Sequence, residues 1–454
     1  MALTVVILAA GQGKRMSSDW PKVLQPLAGR PLLAHVLDTA VALSPEAVNV
    51  VYGHGGESVR AAFAGAAVTW TLQPEQLGTG HAVAQALADI PADHAVLVLC
   101  GDAPLVKPSS LESLRNATHP GGIGLLTAKL DDPSGYGRIL RDEIDAVIGI
   151  VEEREATPAE RGINEINTGV MLLPAQWLKT ALVRLDNDNS QGEYYLTDVI
   201  ALAVAEGLPI ATALAEDASE ILGINDRVQL AAAERAMQRR HAQRLLANGV
   251  TLLDPERFDL RGELSVGRDV VIDIGVVFEG VVELGDRVRI GPNAVISNST
   301  LGEDCIVHAH CVVDGIIAGP SCEIGPFARL RPGTQFASRV KVGNFVEVKA
   351  SDVADGSKVN HLSYVGDSSI GRDVNIGAGT ITCNYDGAAK HRTTIGDRVF
   401  VGSGVMLVAP VTVGEGATIG AGSTISKEAP AEALTVARAR QITVKGWSRP
   451  QKKK

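Results

Sequence analysis

The stretch from Val266 to Ile296 decides the fold of the second half of the chain and reads VGRDVVIDIGVVFEGVVELGDRVRIGPNAVI. A large apolar residue recurs at every sixth position, and glycine often follows it, as in V-G-R-D-V-V and L-G-D-R-V-R. Neither the period of a helix, about 3.6 residues, nor that of a strand, about 2, gives a repeat of six. Hexapeptide repeats build β-helices in which each hexad forms one face of a triangular coil. The repeat therefore predicts a left-handed parallel β-helix.

The same register returns further along the chain. It is interrupted between Thr382 and Ile395 by Asn384–Thr394, which reads NYDGAAKHRTT and is predicted to project as a loop. Insertions in solenoids often lie on the binding face, so this loop is a candidate part of a site, with neutral decoration as the alternative. The inward positions of the repeat are Val266, Ile272, Phe278, Leu284, Ile290, Ile296, Ile370, Ile376, Thr382, Ile395, Val401, Leu407, Val413, Ile419 and Ile425.

Residues 1–226 show a different pattern, in which continuous apolar runs alternate with amphipathic stretches. This alternation is typical of β-α-β units and predicts a Rossmann-like α/β domain with a mostly parallel, buried sheet. One helix is predicted after Pro31, because apolar residues recur there at helical spacing. Its predicted buried face comprises Leu32, Leu33, Val36, Leu37, Ala40 and Val41. The predicted strands are Leu3–Ala10, Val48–Tyr52, Val68–Leu72 and Ala95–Cys100.

A third type of sequence separates these two halves. Residues 227–248 contain neither glycine nor proline, which predicts one long helix that ends at Gly249. We therefore predict a first domain over 1–226, a linker helix over 227–249 and a β-helix domain over 250–454. The chain ends in a basic run that we interpret as a solvated tail. Its cations are Lys445, Arg449, Lys452, Lys453 and Lys454.

The composition excludes several classes of protein. The 454 residues carry 42 Lys and Arg against 52 Asp and Glu, and the net charge of −10 argues against non-specific nucleic-acid binding. No apolar run approaches the ~18 residues of a membrane helix. Lys14 and Arg15 follow the first apolar run instead of preceding it, which is the wrong order for a signal peptide. Five cysteines without a C-x-x-C pair predict reduced thiols in a cytoplasmic protein.

A phosphate-binding loop is predicted where the first strand ends. Gly11 and Gly13 would let backbone N–H groups approach phosphate oxygens, and Arg15 and Lys22 add positive charge. The location is suitable, because ligands bind at the carboxyl ends of strands in open α/β sheets. The pattern is neither a Walker loop nor a dinucleotide fingerprint, and an ordinary turn explains the two glycines equally well.

Two further segments follow predicted strands. Asp102 ends LVLCGD, where a carboxylate could hold Mg²⁺ against nucleotide phosphates, although a turn aspartate before Pro104 is equally consistent. Gln73–Gly80 reads QPEQLGTG and is a candidate contact for a base or a sugar, with a plain turn as the alternative.

The chain resembles known enzymes at these segments. L-A-A-G-x-G-x-R-M…P-K, Q-x-x-Q-L-G-T-G-H-A and G-D-x-P-L are similar to motifs of the sugar-nucleotide pyrophosphorylases. With G-N-F-V-E-V-K and N-I-G-A-G-T-I-T-C-N-Y-D-G in the repeat, residues 3–450 resemble the bacterial bifunctional N-acetylglucosamine-1-phosphate uridylyltransferase / glucosamine-1-phosphate N-acetyltransferases. The resemblance implies acetylation of glucosamine 1-phosphate by acetyl-CoA in the second domain. The first domain would then transfer UMP from UTP to N-acetylglucosamine 1-phosphate, supplying peptidoglycan and lipopolysaccharide synthesis.

For uridylyl transfer, the resemblance assigns catalysis to Arg15 and Lys22 and Mg²⁺ binding to Asp102 and Asn225. Attack of a sugar phosphate on the α-phosphorus gathers negative charge, which a metal ion and cations stabilise. The implied binding residues are Leu8, Ala9, Ala10, Gly11 and Lys22 for the nucleotide loop, Gln73, Gly78 and Thr79 for the uracil side, Cys100, Gly101, Asp102 and Asn225 around the phosphates, and Gly137, Glu152 and Asn167 for the sugar.

Two residues depart from the family pattern. Lys14 stands where a small hydroxyl residue is usual, and Cys100 stands before G-D, where an aromatic residue is often found. Both are expected to alter nucleotide affinity without removing a required group.

The candidate for acetyl transfer is His361 in K-V-N-H-L-S-Y-V-G-D, because acyl transfer to an amine needs a proton acceptor. Taken alone, a histidine in a solenoid is more often structural. The resemblance makes His361 the proton acceptor, with Glu347 as the group that orients its imidazole, and implies homotrimers with acetyl-transfer sites between neighbouring β-helices. The implied sugar-phosphate contacts are Arg331, Lys349, Tyr364 and Asn375. The implied acetyl-CoA contacts are Ala378, Asn384, Tyr385, Ser403, Ala421 and Arg438.

Three other functions are weighed against this one. The nearest is a monofunctional sugar-nucleotide pyrophosphorylase whose β-helix is structural or regulatory, which the presence of His361 and Lys349 disfavours. A non-enzymatic assembly subunit is disfavoured by the intact Arg15, Lys22 and Asp102. A dinucleotide-dependent oxidoreductase fails, because the third glycine and the ribose-binding acidic residue are missing.

Overall fold

Two units make up the chain in the computed structural model, Met1–Met237 and Gln238–Lys454. The structure describes residues 2–11, 13–53, 55–450 and 452, and of Lys14 only the backbone. The predicted long helix is present as Arg227–Ala247 and spans the division between the units. The assignment of residues 227–249 as a linker stays a prediction.

The first unit is built on a mixed sheet. Its strands are β1 (Leu3–Ala9), β2 (Ala47–Tyr52), β3 (Thr69–Leu72), β4 (Ala95–Cys100), β5 (Ile123–Lys129), β6 (Arg138–Arg141), β7 (Val147–Val151), β8 (Glu165–Pro174) and β9 (Ile210–Leu214). The main order is β9–β5–β8–β4–β1–β2–β3, and β6 pairs with β8 and β7. Strand β8 runs antiparallel to β4 and β5, while the other adjacent pairs of the main order are parallel. The predicted mostly parallel α/β domain is therefore confirmed.

Helices cover this sheet. They are α1 (Leu32–Ala42), α2 (Gly56–Ala62), α3 (Thr79–Leu87), α4 (Pro108–Ala117), α5 (Pro158–Arg161), α6 (Ala175–Leu182), α7 (Asp198–Ala205) and α8 (Arg227–Ala247). Short 3₁₀ helices span Lys14–Met16, Lys22–Leu24, Ala218–Ile221 and Pro255–Arg257, and Pro26–Leu27 pairs with Arg30–Pro31. No helix in the described part of the chain is long and apolar enough to cross a membrane.

Two details of predicted burial in the first unit are wrong. Val41 was expected on the buried face of α1 but is 60% exposed, because it lies in the last turn at the margin of that face. Strand β3 was expected to be buried, yet Leu72 is 50% exposed. Because β3 ends the strand order, it has a neighbour on one side only.

The second unit is a parallel β-helix, as predicted. Short strands stack on the strands of the next coil, and the hexad residues fill one continuous core. One sheet contains Thr251–Leu252, Val271–Ile272, Arg289–Ile290, Ile306–Val307, Glu323–Ile324, Lys341–Asn344, Lys358–His361, Asn375–Ile376, Phe400–Val401, Thr418–Ile419 and Leu434–Thr435. The other contains Phe258–Val266, Val276–Leu284, Val295–Ser297, Thr300–Leu301, Val312–Asp314, Ile316–Ala318, Arg329–Leu330, Thr334–Phe336, Glu347–Lys349, Asp352–Val353, Tyr364–Gly366, Ser368–Ile370, Ile381–Cys383, Thr393–Ile395, Met406–Val408, Val411–Val413 and Thr424–Ile425.

The insertion predicted from the register leaves the coil after Ile381–Cys383 and returns at Thr393–Ile395. Within it, Tyr385 and Lys390 form an isolated antiparallel bridge. The Asp386 carboxylate accepts two backbone N–H bonds and an imidazole bond from the same loop. The loop is therefore a defined turn that presents its side chains beside the coil. Beyond it, residues 438–450 are exposed and carry no helix or strand, while Lys453 and Lys454 lie outside the described residues.

Candidate functional site

The first candidate site lies where β1 and β4 end. Leu8 pairs with Cys100 in the parallel register, and the Gly101 N–H donates to the Leu8 carbonyl at 2.9 Å. A Cβ on Gly101 would lie 3.0 Å from that carbonyl oxygen, so glycine permits the close approach. The cleft here is lined by Leu8, Ala9, Ala10, Gly11, Lys22, Val23, Gln73, Gln76, Gly78, Thr79, Ala82, Cys100, Asp102 and Glu193. Most of the predicted nucleotide residues thus share one cleft.

A cation lies between the two predicted metal ligands. The Lys22 ammonium donates to the Asp102 carboxylate, and its Nζ is 3.1 Å from Oδ1 of Asn225. Asn225 is held in turn by Gln229, whose Oε1 accepts the Asn225 N–H at 2.7 Å. The Ile224 N–H donates to the Asp102 carbonyl at 2.9 Å. Residues 203 positions apart along the chain are thereby brought to one point.

The predicted uracil-side loop is fixed by its own hydrogen bonds. The buried Gln73 amide donates to the Gly78 carbonyl at 3.1 Å, and it lies 3.1 Å from Nδ1 of His81. Gly78 has φ of 106°, a conformation that favours glycine. The Thr79 hydroxyl accepts the Leu196 N–H at 3.0 Å. These bonds hold the backbone of the loop against the cleft.

The three predicted sugar contacts lie together. The Asn167 N–H donates to the Gly137 carbonyl at 2.8 Å, and a Cβ on Gly137 would lie 3.5 Å from Oε2 of Glu152. The Thr197 hydroxyl donates to Oε1 of Glu152 at 2.9 Å. Thr197 follows Leu196, whose backbone N–H donates to the Thr79 hydroxyl in the cleft. The sugar-contact cluster is therefore connected to the nucleotide cleft through adjacent residues.

Glu152 carries an electrostatic penalty in the folded protein. Burial raises its pKa, and the Thr197 hydroxyl bond only partly opposes this effect. The folded state therefore binds this proton more tightly than the unfolded state, where a glutamate has a pKa of about 4.3. The penalty is absent below that pKa, grows as pH rises through the folded pKa and is complete above it. The pKa of Asp198 is also raised, first by burial and then by the negative charge of Glu152.

We expect Glu152→Gln to raise the melting temperature at pH 7.5, because the amide keeps the Thr197 bond without a buried charge. The gain should vanish as pH falls below about 4.3. Calorimetry over this pH range measures it, with Glu153→Gln as the control, since Glu153 instead pairs with Arg138 at 2.7 Å. A gain independent of pH would contradict the buried-charge explanation.

Cys100 and the remaining cations complete the first site. Burial raises the pKa of the Cys100 thiol to about 12, with Asp102 adding to the rise, so this thiol is neutral at physiological pH. It fills space beside Gly169, where a Cβ would lie 3.1 Å from the sulfur. Arg15 is exposed in the short helix Lys14–Met16. The side chain of Lys14 lies outside the described residues.

The second candidate site is centred on His361 at a corner of the β-helix. Its Nδ1 lies 2.9 Å from Oδ1 of Asn344, one coil earlier, and this acceptor leaves Nε2 as the unprotonated nitrogen of the neutral ring. Glu347 was expected to orient the imidazole, but it accepts a bond from Arg331 at 2.9 Å instead. Sequence reasoning missed Asn344. The coil period could have identified Asn344. It precedes Phe345 in one coil as His361 precedes Leu362 in the next, so Asn344 and His361 occupy equivalent positions.

Several predicted acetyl-CoA contacts lie at the same corner of the β-helix as His361 on later coils, and together they form a column of equivalent positions. Ala378, Ser403 and Ala421 occupy the same corner of successive coils, and each is followed by a glycine with φ between 69° and 74°. The groove along this column also includes Asn375 and His361. Arg438 reaches its far end and donates to the Ala421 carbonyl at 2.7 Å. The small residues leave the backbone open along the groove.

A cluster of polar and cationic groups lies on the adjoining face. The Asn384 amide donates to the Asp367 carboxylate and lies 3.4 Å from the Tyr364 hydroxyl, while Lys349 Nζ is 3.7 Å from Asp367. Lys390 comes from the projecting loop, and Lys349 lowers the pKa of Lys390, first through a side-chain hydrogen bond and then through like-charge repulsion. Two ammonium groups side by side favour an anion between them. Sequence reasoning missed Lys390, although it stands in the insertion singled out as a candidate binding segment.

Two predicted residues are placed apart from this cluster. Asn375 belongs to the groove of His361 rather than to the cations. Tyr385 is largely exposed, and its hydroxyl donates to the Gly387 carbonyl at 2.6 Å within the loop. Arg331 joins the cationic face through Glu347, which neighbours Tyr364 in the strand register.

Comparison with known proteins identifies both halves. The family described as MobA-like NTP transferase domain matches residues 5–162. The family described as Bacterial transferase hexapeptide (six repeats) matches residues 264–298 and 392–427. Among solved structures, a nucleotidyl transferase from Methanothermobacter thermautotroptrophicus aligns with 53% of this chain and 99% of its own, at 19% identity and a TM-score of 0.39.

Three relatives match almost the whole chain, and each is named Bifunctional protein GlmU. The protein of Alkalilimnicola ehrlichii is 60% identical over 449 residues, covering 99% of this chain and 97% of the relative. That of Aromatoleum aromaticum is 56% identical over 452 residues, covering 100% and 99%. That of Azoarcus sp. is 55% identical over 452 residues, covering 100% of both. The chain therefore belongs to the family of bifunctional GlmU proteins.

Proposed function

We propose that this chain is a bifunctional transferase that makes UDP-N-acetylglucosamine. At the His361 site, glucosamine 1-phosphate takes an acetyl group from acetyl-CoA. At the Asp102 site, the resulting N-acetylglucosamine 1-phosphate takes UMP from UTP and pyrophosphate leaves. The observation that supports the proposal is that Lys22, Asp102 and Asn225 converge in the first unit, while the Asn344–His361 pair lies beside a groove in the second. The product would supply peptidoglycan and lipopolysaccharide synthesis.

In uridylyl transfer, a phosphate oxygen of the sugar phosphate attacks the α-phosphorus of UTP, and the bond from the α-phosphorus to the bridging oxygen breaks. The backbone at Ala10 and Gly11 can approach the phosphates, and Arg15 and Lys22 supply positive charge. Gln73 lies in the part of the cleft proposed for the base. These groups position the nucleotide and stabilise developing charge, with little covalent chemistry for the protein to perform.

Mg²⁺ fits this site. Asp102 and Asn225 present a carboxylate and a carboxamide oxygen, the ligands that Mg²⁺ prefers, and both already converge on the Lys22 ammonium. When bound there, the metal would neutralise phosphate charge and polarise the phosphorus–oxygen bonds.

In acetyl transfer, the amine nitrogen of glucosamine 1-phosphate attacks the thioester carbonyl while Nε2 of His361 accepts the amine proton. The coenzyme A thiolate then leaves. Asn344 keeps the proton of the neutral imidazole on Nδ1, so Nε2 is available as the base. Lys349 and Lys390 hold the sugar phosphate, and acetyl-CoA lies along the groove that ends at Arg438. Asn344 is thus a positioning residue, and His361 is the catalytic residue.

The homotrimer belongs to the same proposal, and an exposed ladder of side chains supports it. The ladder lies at one corner of the β-helix, one residue after the His361 position on successive coils. Its members are His310, Phe327, Phe345 and Leu362, and later coils carry glycine at this position. The rings stack with centroids 5.0 and 5.3 Å apart, yet Phe345 is 57% and Leu362 63% exposed. Their positive φ angles cost about 1 kcal/mol or more each. Contact with another copy would repay this strain by burying the ladder.

We expect the double variant Phe327→Asp, Phe345→Asp to sediment as a smaller species than the wild type, because charge in the ladder opposes burial against another copy. Analytical ultracentrifugation measures the mass. Ile317→Asp serves as the control, since Ile317 is similarly exposed on another face. An unchanged mass for the double variant would show that the ladder does not hold the assembly together.

A cytoplasmic location is proposed as well. All five cysteines are free, and three of them are buried in the β-helix, which suits a reducing compartment.

The experiment that tests the proposed function supplies each substrate separately. Purified protein with glucosamine 1-phosphate and acetyl-CoA should release free thiol, and with N-acetylglucosamine 1-phosphate, UTP and Mg²⁺ it should release pyrophosphate. Pyrophosphate without thiol would establish the rival function, a monofunctional pyrophosphorylase with a structural β-helix. Release of neither thiol nor pyrophosphate would indicate a non-enzymatic subunit.

A further inference from the structure

We propose that Lys22 is a built-in competitor for the metal position. Its ammonium is bonded to both Asp102 and Asn225, the two residues proposed to hold Mg²⁺. The Lys22 side chain is only 11% exposed, so this is an enclosed arrangement rather than a surface ion pair. The inference rests on the proposed function, because it concerns the same metal site.

Lys22 bonds Oδ2 of Asp102 and Oδ1 of Asn225, and a metal ion that bridges these two residues would compete for the same oxygens. Mg²⁺ binds oxygen at about 2.0–2.1 Å, so it would occupy the space between Asp102 and Asn225 that the ammonium now fills. A monovalent and a divalent cation a few ångströms apart also repel strongly in a partly buried site. The Lys22 ammonium therefore opposes Mg²⁺ binding at Asp102 and Asn225, and free metal binds weakly as a result.

A second partner for Lys22 lies close by. Its Cε and Nζ are each 4.0 Å from where a Cβ on Gly11 would be, and its Cβ lies 2.7 Å from the corresponding point on Gly13. The side chain thus runs along the loop proposed to hold the triphosphate. With a triphosphate bound along this loop, a change in the Lys22 rotamer would move its ammonium from the carboxylate to a phosphate. Nucleotide binding would thereby free the metal ligands, which makes metal and nucleotide binding mutually favourable.

Mn²⁺ titration without nucleotide, followed by electron paramagnetic resonance on the full chain, tests this inference. Lys22→Met keeps the length of the side chain and removes its charge. We expect it to bind Mn²⁺ about tenfold or more tightly than the wild type, because the ammonium bonds no longer compete. Lys129→Met removes the same charge from an exposed position at the end of β5 and should bind Mn²⁺ like the wild type.

With UTP present, the advantage of Lys22→Met should disappear or reverse, since Lys22 then stabilises the triphosphate in the wild type. Equal or weaker Mn²⁺ binding by Lys22→Met without nucleotide would overturn the inference. Asp102→Asn separates the two proposals: if it binds Mn²⁺ as the wild type does, the metal site itself is wrong. If Asp102→Asn loses Mn²⁺ while Lys22→Met gains nothing, only the competition is wrong. A melting temperature like that of the wild type verifies the folding of each variant, because thiol release reports only on the other unit.

Discussion

His361→Ala is expected to lower acetyl transfer by about 10²–10⁴-fold, because the amine loses the base that accepts its proton. Free-thiol release from acetyl-CoA and glucosamine 1-phosphate measures the loss. Pyrophosphate release from UTP and supplied N-acetylglucosamine 1-phosphate should stay at the wild-type rate, since Asp102 and Lys22 lie in the other unit. One variant thus separates the two reactions within one chain.

His308→Ala is the matched control. His308 also lies in the β-helix, and its Nε2 is 3.0 Å from Oε1 of Glu323, away from the Asn344–His361 pair. Its removal should leave both reactions intact. Asn344→Ala should lower kcat for acetyl transfer while leaving KM for acetyl-CoA little changed, because it frees the imidazole without touching the groove. Near wild-type thiol release by His361→Ala would show that another group accepts the proton.

The β-helix could be predicted in detail because its signal is a period. Each hexad residue, such as Ile290 or Ile419, must point inward, so spacing alone fixes both the fold and the core. The projecting loop was predictable for the same reason, since a break in register at Asn384–Thr394 has to leave the coil. In the first unit, the four strands named from the sequence were predicted to within one residue at their ends, but the exposure of Leu72 and Val41 was not predicted. Burial there depends on which strand ends the sheet and what covers each helix turn, and neither is local information.

The composition of each site was less predictable than its location. Lys22, Asp102 and Asn225 were each expected near the nucleotide, but their mutual bonds depend on folding that joins positions 203 residues apart. Lys390 reaches Lys349 only because the insertion folds back through its Tyr385 bridge. Such contacts follow from tertiary structure, and a spacing rule cannot supply them.

Asp102→Asn is expected to lower uridylyl transfer by at least about a hundredfold. The amide keeps the size of the side chain but loses the charge that would hold Mg²⁺ and that now holds Lys22. Pyrophosphate release measures the loss, and extra Mg²⁺ should restore only part of the rate. Thiol release should remain at the wild-type level, because the acetyl-transfer groups belong to the β-helix unit.

Asp89→Asn provides the control for Asp102→Asn, since Asp89 is an exposed carboxylate of the same unit just beyond α3. It should leave pyrophosphate release unchanged. A wild-type rate for Asp102→Asn would mean that the metal is held elsewhere and that the Lys22–Asp102 pair is merely structural. Loss of both reactions would instead indicate unfolding, which the melting temperature would reveal. Loss of pyrophosphate release alone places the chemistry at the end of β4, where the Ile224–Asp102 backbone bond and the Lys22 ammonium bring Asp102 and Asn225 together.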